Sequence, residues 1–440
     1  MQCLDRGHDN RIVVPVVVSQ WLKILIHEED QRLWMASANR KQNMKAKDVL
    51  IGVAGPIVIS DFMDYLNWAG DCQSLPVGLG GTPVNILSLE LLRRGHRLVI
   101  FTLDQSVDTE LVLEGKKLKI CLGPYRPKRA RDFFRLERDV MEKAIRRERP
   151  ALVHAQWTYE FALAAIAADV PHIVTAHDAP FQVLRHNFIP YRIARTIMAM
   201  KAIRQAEHIT TVSQYVAKHL ERFFFPRRTV DVIPNGLPSS IFDDRVWSKK
   251  PKSGILTFFT ILNGWAGLKN GQVAIQAFAK LGETYRPARL VMLGAGHDPG
   301  GPAELWAREH GLVDGIEFAG PVAYEILQKR ISNECDILVH PSLEESFGMV
   351  IIEALAKAIP VIGGESSGGV PWTLSFGEAG LLVDVRSPGK VADAMLTLAR
   401  DPGLRKCLSE AGYRRVRRHF SIEAVADAYE RKYEEILNEK

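Results

Sequence analysis

Cysteine is scarce in this chain, and no long apolar run occurs. The 440 residues hold five cysteines: Cys3, Cys72, Cys121, Cys335 and Cys407. They are scattered and odd in number, with no C-x-x-C spacing, so neither a zinc site nor a redox pair is expected. Scattered thiols in a chain of this size suit a reducing compartment. Cys335 adjoins an apolar strand and reads as core. No stretch reaches the ~18 apolar residues of a membrane span. The closest approach, residues 12–26, is interrupted by Pro15, Gln20 and Lys23. Ala36-Ser37-Ala38 imitates a signal cleavage site, but the charged residues 27–32 separate it from that run, which argues against a signal peptide. Also lacking are internal repeats, low-complexity tracts and a D-x-D motif at a candidate site.

What is present is ordinary for a globular chain: 47% apolar residues and 25% charged. The length suits two cores. The net charge is +6, with a pI near 9.0, a mild basic excess that suits anionic partners without choosing among them. Residues 1–46 read as a flexible extension, or as lying upstream of a true start at Met44. From residue 49 on, apolar strands alternate with helical stretches. Strands are expected at 49–54, 98–103, 151–154, 172–175, 209–212 and 230–233. After a polar linker at 237–253 they resume at 255–261, 289–293, 316–319, 336–340, 360–363 and 381–384. Such alternation gives parallel sheets with helices on both faces, and ligands bind beyond the carboxyl ends of their strands. Helices are expected at 82–94, ending at Gly95, and at 161–168. Another has Phe133, Leu136, Val140 and Ala144 on one face and stops at Pro150. A last helix, 421–438, carries Ile422, Val425, Tyr429, Tyr433 and Ile436 on one side.

The most informative block runs from His340-Pro341-Ser342 to Glu353. Seven residues separate Glu345 from Glu353. Glu345 falls on the loop after a strand, and Glu353 within the next helix. If the interval is mostly helical, it spans roughly 12 Å along the axis. Between the two acids the N–H groups of Phe347, Gly348 and Met349 lack helical partners, and together with the helix dipole they suit a diphosphate.

This block resembles the E-x(7)-E signature of retaining glycosyltransferases of family 4, which have the GT-B fold. The resemblance covers roughly residues 48–438. It implies an α/β protein with two Rossmann-like domains facing a central cleft: 47–236 on the acceptor side, 254–420 on the donor side. The helix at 421–440 would cross back to the first domain. It also implies transfer of a sugar from a nucleotide-sugar to a hydroxyl acceptor, a glycan or a lipid-linked glycan, with retention of configuration. No metal or cofactor would be needed.

By the same resemblance Glu353 binds ribose hydroxyls. Glu345 hydrogen-bonds the donor sugar, with Ser346, Phe347, Gly348 and Met349 beside it. Lys269 neutralises the diphosphate. The family's Arg five residues before that lysine is replaced here by Gly264. Gly80 and Gly81, in Gly78-Leu79-Gly80-Gly81-Thr82-Pro83, resemble the loop that faces the diphosphate, and Arg93-Arg94-Gly95-His96 also matches. Gly294 and Pro321 border the nucleotide base. His177, in Thr175-Ala176-His177-Asp178, would lie at the reacting centre. His154, Trp157 and Asp178 are acceptor-side candidates. Ile233-Pro234-Asn235-Gly236 is similar to the domain-junction turn, where Asn-Gly supports positive φ. In Gly368-Gly369-Val370-Pro371, Trp372 stands where the family often has Glu.

Two basic stretches, 126–149 and 185–204, fit weak, reversible contact with an anionic membrane surface. A cytoplasmic enzyme on the inner face of the plasma membrane is therefore expected. Three other classes remain open. A sugar-nucleotide 2-epimerase would share the fold. An NAD-dependent dehydrogenase would need a G-x-G-x-x-G after the first strand, which Gly52 and Gly55-Pro56 do not supply, and Gly294-x-Gly296 is followed by its third glycine one place late, at Gly300. A nucleic-acid binder would need a motif helix or aromatic platform, and none is recognisable.

Overall fold

The computed structural model describes residues 49–68, 70, 75–242, 254–265 and 267–439. The expected extension at 1–46, the start at Met44 and most of the linker at 237–253 lie outside them. Residues 46–440 form one compact unit built on two sheets.

The first sheet has eight strands in the order β3-β4-β2-β1-β5-β6-β7-β8. They are β1 (Leu50–Ala54), β2 (Arg97–Asp104), β3 (Leu111–Glu114), β4 (Leu118–Pro124), β5 (Leu152–Gln156), β6 (His172–Ala176), β7 (His208–Thr211) and β8 (Asp231–Val232). All pair in parallel except β3 with β4. The second sheet has the order β11-β10-β9-β12-β13-β14 and is wholly parallel. Its strands are β9 (Leu256–Ile261), β10 (Ala288–Leu293), β11 (Ile316–Gly320), β12 (Ile337–His340), β13 (Val361–Gly364) and β14 (Leu381–Val383). The strands are near-continuous apolar runs, as parallel strands covered on both faces require. Among the parallel strands of each sheet the order reverses once, between β1 and β5 and between β9 and β12. Those two crevices are where ligands of such sheets bind.

The helices are α1 (Thr82–Arg93), α2 (Arg135–Glu148), α3 (Glu160–Ala167), α4 (Pro180–His186), α5 (Pro190–Gln205), α6 (Gln214–Phe223), α7 (Gly271–Gly282), α8 (Pro302–Glu309), α9 (Tyr324–Glu334), α10 (Met349–Leu355), α11 (Val370–Thr373), α12 (Pro388–Arg400), α13 (Pro402–His419) and α14 (Ile422–Asn438). The last of these crosses back. Ile422, Val425, Tyr429, Tyr433 and Ile436 are all buried in the core of the first half. Arg94 on the first half donates to Asp427 and Glu430, each at 2.7 Å, and His96 meets Glu430 at 2.7 Å.

Two expectations need correction. Phe133 and Leu136 do not face the core: they are 41% and 40% exposed. Phe133 and Phe134 both hold left-handed φ, 53° and 59°, so α2 starts only at Arg135. Its buried face is Glu137, Met141, Ala144 and Ile145. Glu137 is buried because Arg126 pairs with it at 2.7 Å. The other correction concerns Gly236, whose φ is not positive. It is small because a Cβ there would lie 2.8 Å from Ile422 Cδ1, where α14 passes the junction.

Candidate active site

On the second half, β12 ends at buried His340 and its loop carries Glu344, Glu345 and Ser346 into the crevice beside β9. Gly348 takes φ 89° and starts α10, a helix of seven residues. Its amide, and those of Phe347 and Met349, find no protein acceptor among the described residues. Glu345 receives a 2.6 Å bond from Lys269 Nζ and lies 3.3 Å from His340 Nε2. Burial works to raise its pKa, but His340 and Lys269 outweigh that and hold it at about 2. Lys269 ends the short turn Gly267–Lys269 just before α7, at the end of the crevice nearest β9. The two side chains expected on different parts of the donor are therefore paired with each other here.

Glu353, one helical turn and more beyond, is in the opposite state. It is buried, and burial pushes its carboxyl up to about 7 against the bonds from Gln328 and Tyr324. Gln328 Nε2 donates at 3.0 Å and Tyr324 OH at 3.3 Å. Both partners lie on α9, four residues apart, on one face of the helix. Nothing in the sequence around Glu353 announces them, because they stand 25 and 29 residues away.

The loop bearing Glu345 is held from behind. Gly369 donates its amide to Glu345 O at 2.7 Å, and a Cβ on Gly368 would meet the same oxygen at 2.4 Å. Buried Phe347 packs on Trp372 and Phe420, so Trp372 serves the core of this loop. The first half also touches it: Ser213 at the start of α6 donates to Ser346 O at 2.5 Å. Arg185 on α4 acts on Glu344 through space. The sequence pointed to none of Tyr324, Gln328 and Ser213, and to Arg185 only as the start of a basic stretch assigned to a membrane surface.

Gly294 and Gly80–Gly81 divide by cause. A Cβ on Gly294 would sit 2.0 Å from Leu262 O, and one on Gly81 2.1 Å from Pro56 O, both at positive φ. Backbone approach alone accounts for these two glycines. A Cβ on Gly80 would meet nothing within 4 Å, so there the positive φ of 85° alone favours glycine and the position opens to space. Pro321 is exposed, on the turn that leads into α9.

Across the crevice between β1 and β5, His177 follows β6. Its ring stacks on Trp157, 4.1 Å between centroids at 25°, and Nε2 donates to Gln156 Oε1 at 2.7 Å. Burial depresses its pKa to about 3, so the imidazole is neutral at pH 7. Trp157 holds φ 62° and remains partly exposed. Asp178 does not stand free: Tyr159 OH donates to its two oxygens at 2.8 and 3.0 Å. His154 corrects an expectation outright. It is wholly buried, with Nδ1 2.7 Å from Tyr433 OH and Nε2 2.7 Å from Thr175 Oγ1, so it faces α14 and no acceptor can reach it.

Residues 82–240 match the family described as Glycosyltransferase Family 4, and residues 245–415 match Glycosyl transferases group 1. The chain is 30% identical over 241 residues to the D-inositol 3-phosphate glycosyltransferase of Corynebacterium jeikeium, a match over 52% of this chain and 57% of that enzyme. It is 28% identical over 220 residues to the GDP-mannose-dependent alpha-(1-6)-phosphatidylinositol monomannoside mannosyltransferase of Mycobacterium tuberculosis, covering 46% of this chain and 55% of that one. The chain thus spans little more than half the length of these curated relatives. Among solved structures, sucrose-phosphate synthase of Thermosynechococcus elongatus superposes with a TM-score of 0.68 at 20% identity, over 89% of this chain and all of that one. At that identity the likeness speaks for the fold.

Proposed function

The chain belongs to glycosyltransferase family 4 and has the GT-B fold, and from that premise we propose that it moves a sugar from a nucleoside-diphosphate donor to a hydroxyl acceptor with retention of configuration. One observation carries the reading. Two carboxylates flank the unpartnered amides at Gly348, and their environments drive them to opposite states. Glu345, ionised beside Lys269, suits the place where a sugar meets a diphosphate. Glu353 is buried beside Tyr324 and Gln328 and suits a pair of ribose hydroxyls, for which it is an acceptor whatever its charge.

Donor binding draws Lys269 from Glu345 toward the diphosphate and leaves Glu345 to accept from sugar hydroxyls. The bond between the anomeric carbon and the phosphate oxygen then breaks. The acceptor oxygen attaches on the same face, and its proton passes to the leaving phosphate. The protein aligns the reactants and stabilises charge, and neither glutamate forms a bond to the sugar. No metal or cofactor takes part. Release of free nucleoside diphosphate, screened by mass spectrometry over UDP-, GDP- and ADP-sugars in the presence of a chelator, tests the donor. The anomeric coupling constant of the product tests retention: the opposite anomer would refute it.

The acceptor is a glycan or lipid-linked glycan, met by a cytoplasmic enzyme at an anionic membrane. The support is a corner of the first half. Phe133, Leu136, Phe188 and Ile189 are exposed there, and Phe188 is 75% so. The two segments meet through Phe134 and Tyr191, whose rings lie 6.2 Å apart. Exposed Lys128, Arg131 and Arg135 stand among the apolar side chains. Each cation near such a surface contributes on the order of 1 kcal/mol, screened by salt. The chain should float with anionic vesicles at low salt and not with neutral ones, and Phe133→Ser/Phe188→Ser should abolish flotation. Equal absence of binding to both vesicle types would favour a soluble acceptor.

A further inference from the structure

On the face of the first sheet that α14 covers, five polar side chains run in file. His154 and Gln156 alternate on β5, Thr175 and His177 lie on and just past β6, and Thr210 lies on β7. Parallel pairing sets Gln156 opposite Thr175, and Thr175 opposite Thr210. His154, Gln156, Thr175 and Thr210 are buried. The contacts are continuous: His177 Nε2 to Gln156 Oε1 at 2.7 Å, then Gln156 Nε2 to His154 Nε2 at 2.9 Å, then His154 Nδ1 to Tyr433 OH at 2.7 Å. Thr175 braces the middle: its hydroxyl lies 2.7 Å from His154 Nε2, to which it donates alongside the amide, 2.6 Å from Thr210 and 3.1 Å from Tyr429 OH. Polar groups buried in such a place are costly unless every member has a partner.

We propose that Gln156 is a positioning residue for His177: its amide decides which ring nitrogen of His177 holds the proton and, through His154, ties that choice to the seating of the C-terminal helix. The proposal rests on the reading of His177 as the side chain at the reacting centre.

An amide offers one acceptor and one donor at fixed places. With Oε1 accepting from His177 Nε2–H, the lone pair of His177 is left on Nδ1, which meets no protein partner among the described residues. The amide N–H then requires a bare Nε2 on His154. The His154 proton therefore sits on Nδ1 and is donated to Tyr433. Turning the amide over would exchange the tautomers of both rings together, so the two imidazoles are coupled through one side chain. Trp157 fixes the plane of the His177 ring by stacking, and Gln156 fixes its rotation within that plane. An apolar side chain can do neither, and a carboxylate, which only accepts, could hold His177 but could not donate to His154.

The test compares Gln156→Met, Gln156→Glu, Tyr433→Phe and His177→Ala in the full chain. Met matches the length of Gln but makes no bond, so kcat should fall about tenfold or more while the donor KM stays within about twofold. Tyr433→Phe should produce a smaller fall, again in kcat. Gln156→Glu places a negative charge against His177 and raises its pKa, so activity should gain an ionisation between about pH 5 and 8 that the parent lacks. A residue that did not touch His177 would leave the pH profile unmoved. If His177→Ala is crippled while folded Gln156→Met turns over within about twofold of the parent, the role of Gln156 is overturned and that of His177 stands. If His177→Ala is itself near normal, the reading of His177 fails and the proposal falls with it. Should Gln156→Met not fold, an unchanged pH profile in Gln156→Glu overturns the proposal.

Discussion

Glu345→Gln should reduce kcat/KM by about tenfold to a hundredfold, the loss of one charge-assisted bond worth about 1.5–3 kcal/mol. The substitution keeps the shape of the side chain and removes its charge. Lys269 and His340 then lose their common partner, 2.6 and 3.3 Å away. Stability should fall as well. The folded carboxyl titrates at about 2 against an ordinary 4.5, so its contribution is complete above pH 4.5 and disappears as pH drops through 2. At neutral pH that difference amounts to about 3 kcal/mol at 1.36 kcal/mol per unit. A thermal melt should show a lower Tm at pH 7.5, with the fold retained by circular dichroism. Near-normal turnover would count against the role assigned to Glu345.

The second large effect is expected at Glu353, with the opposite sign for stability. Its carboxyl titrates at about 7 when folded and near 4.5 when free, so folding takes up a proton between those values. The raised group contributes fully below pH 4.5, and that contribution is lost as pH rises through 7. Above pH 7 a buried, ionised Glu353 costs about 3 kcal/mol. Glu353→Gln removes the cost and still accepts from Gln328, so at pH 8 it should melt higher than the parent. At pH 4 the two should melt alike. Donor affinity should nevertheless fall by about tenfold or more, because a carboxylate offers two acceptor oxygens to the ribose hydroxyls, whereas the amide offers one and presents a donor NH2 in place of the other. An activity site that is unstable as built is a common trade. Two Gln substitutions eight positions apart should thus both impair transfer while moving Tm in opposite directions. A lower Tm for Glu353→Gln at pH 8 would show that its environment has been misjudged.

Much of this site was legible because it is local in sequence. The strand ending at His340, the glycine at 348 and the helix bearing Glu353 follow one another without interruption, and apolar runs with turn residues locate each of them. Strand limits elsewhere came within a residue or two for the same reason. What failed depended on distant partners. His154 looked like a ligand at a strand end, but its partner Tyr433 is 279 residues away on α14. Tyr324 and Gln328 look like ordinary helix positions until α9 is set beside α10. β3 and β4 were both missed: only one of the four residues of β3 is buried and they pair antiparallel at the edge, while the apolar run of β4 is broken by Lys119 and Gly123. The amphipathic reading of residues 133–144 failed by a rotation: two consecutive left-handed residues at Phe133 and Phe134 turn the chain before α2 begins, and periodicity cannot register that.

The decisive observation would be a crystal structure of the chain with the nucleoside diphosphate selected by the donor screen. The diphosphate should lie against the amides of Gly348 and Met349, with Lys269 turned from Glu345 toward it. The ribose hydroxyls should stand within about 3 Å of Glu353. A diphosphate bound elsewhere, with the Lys269–Glu345 pair intact and Glu353 untouched, would remove the basis for assigning the donor to this loop.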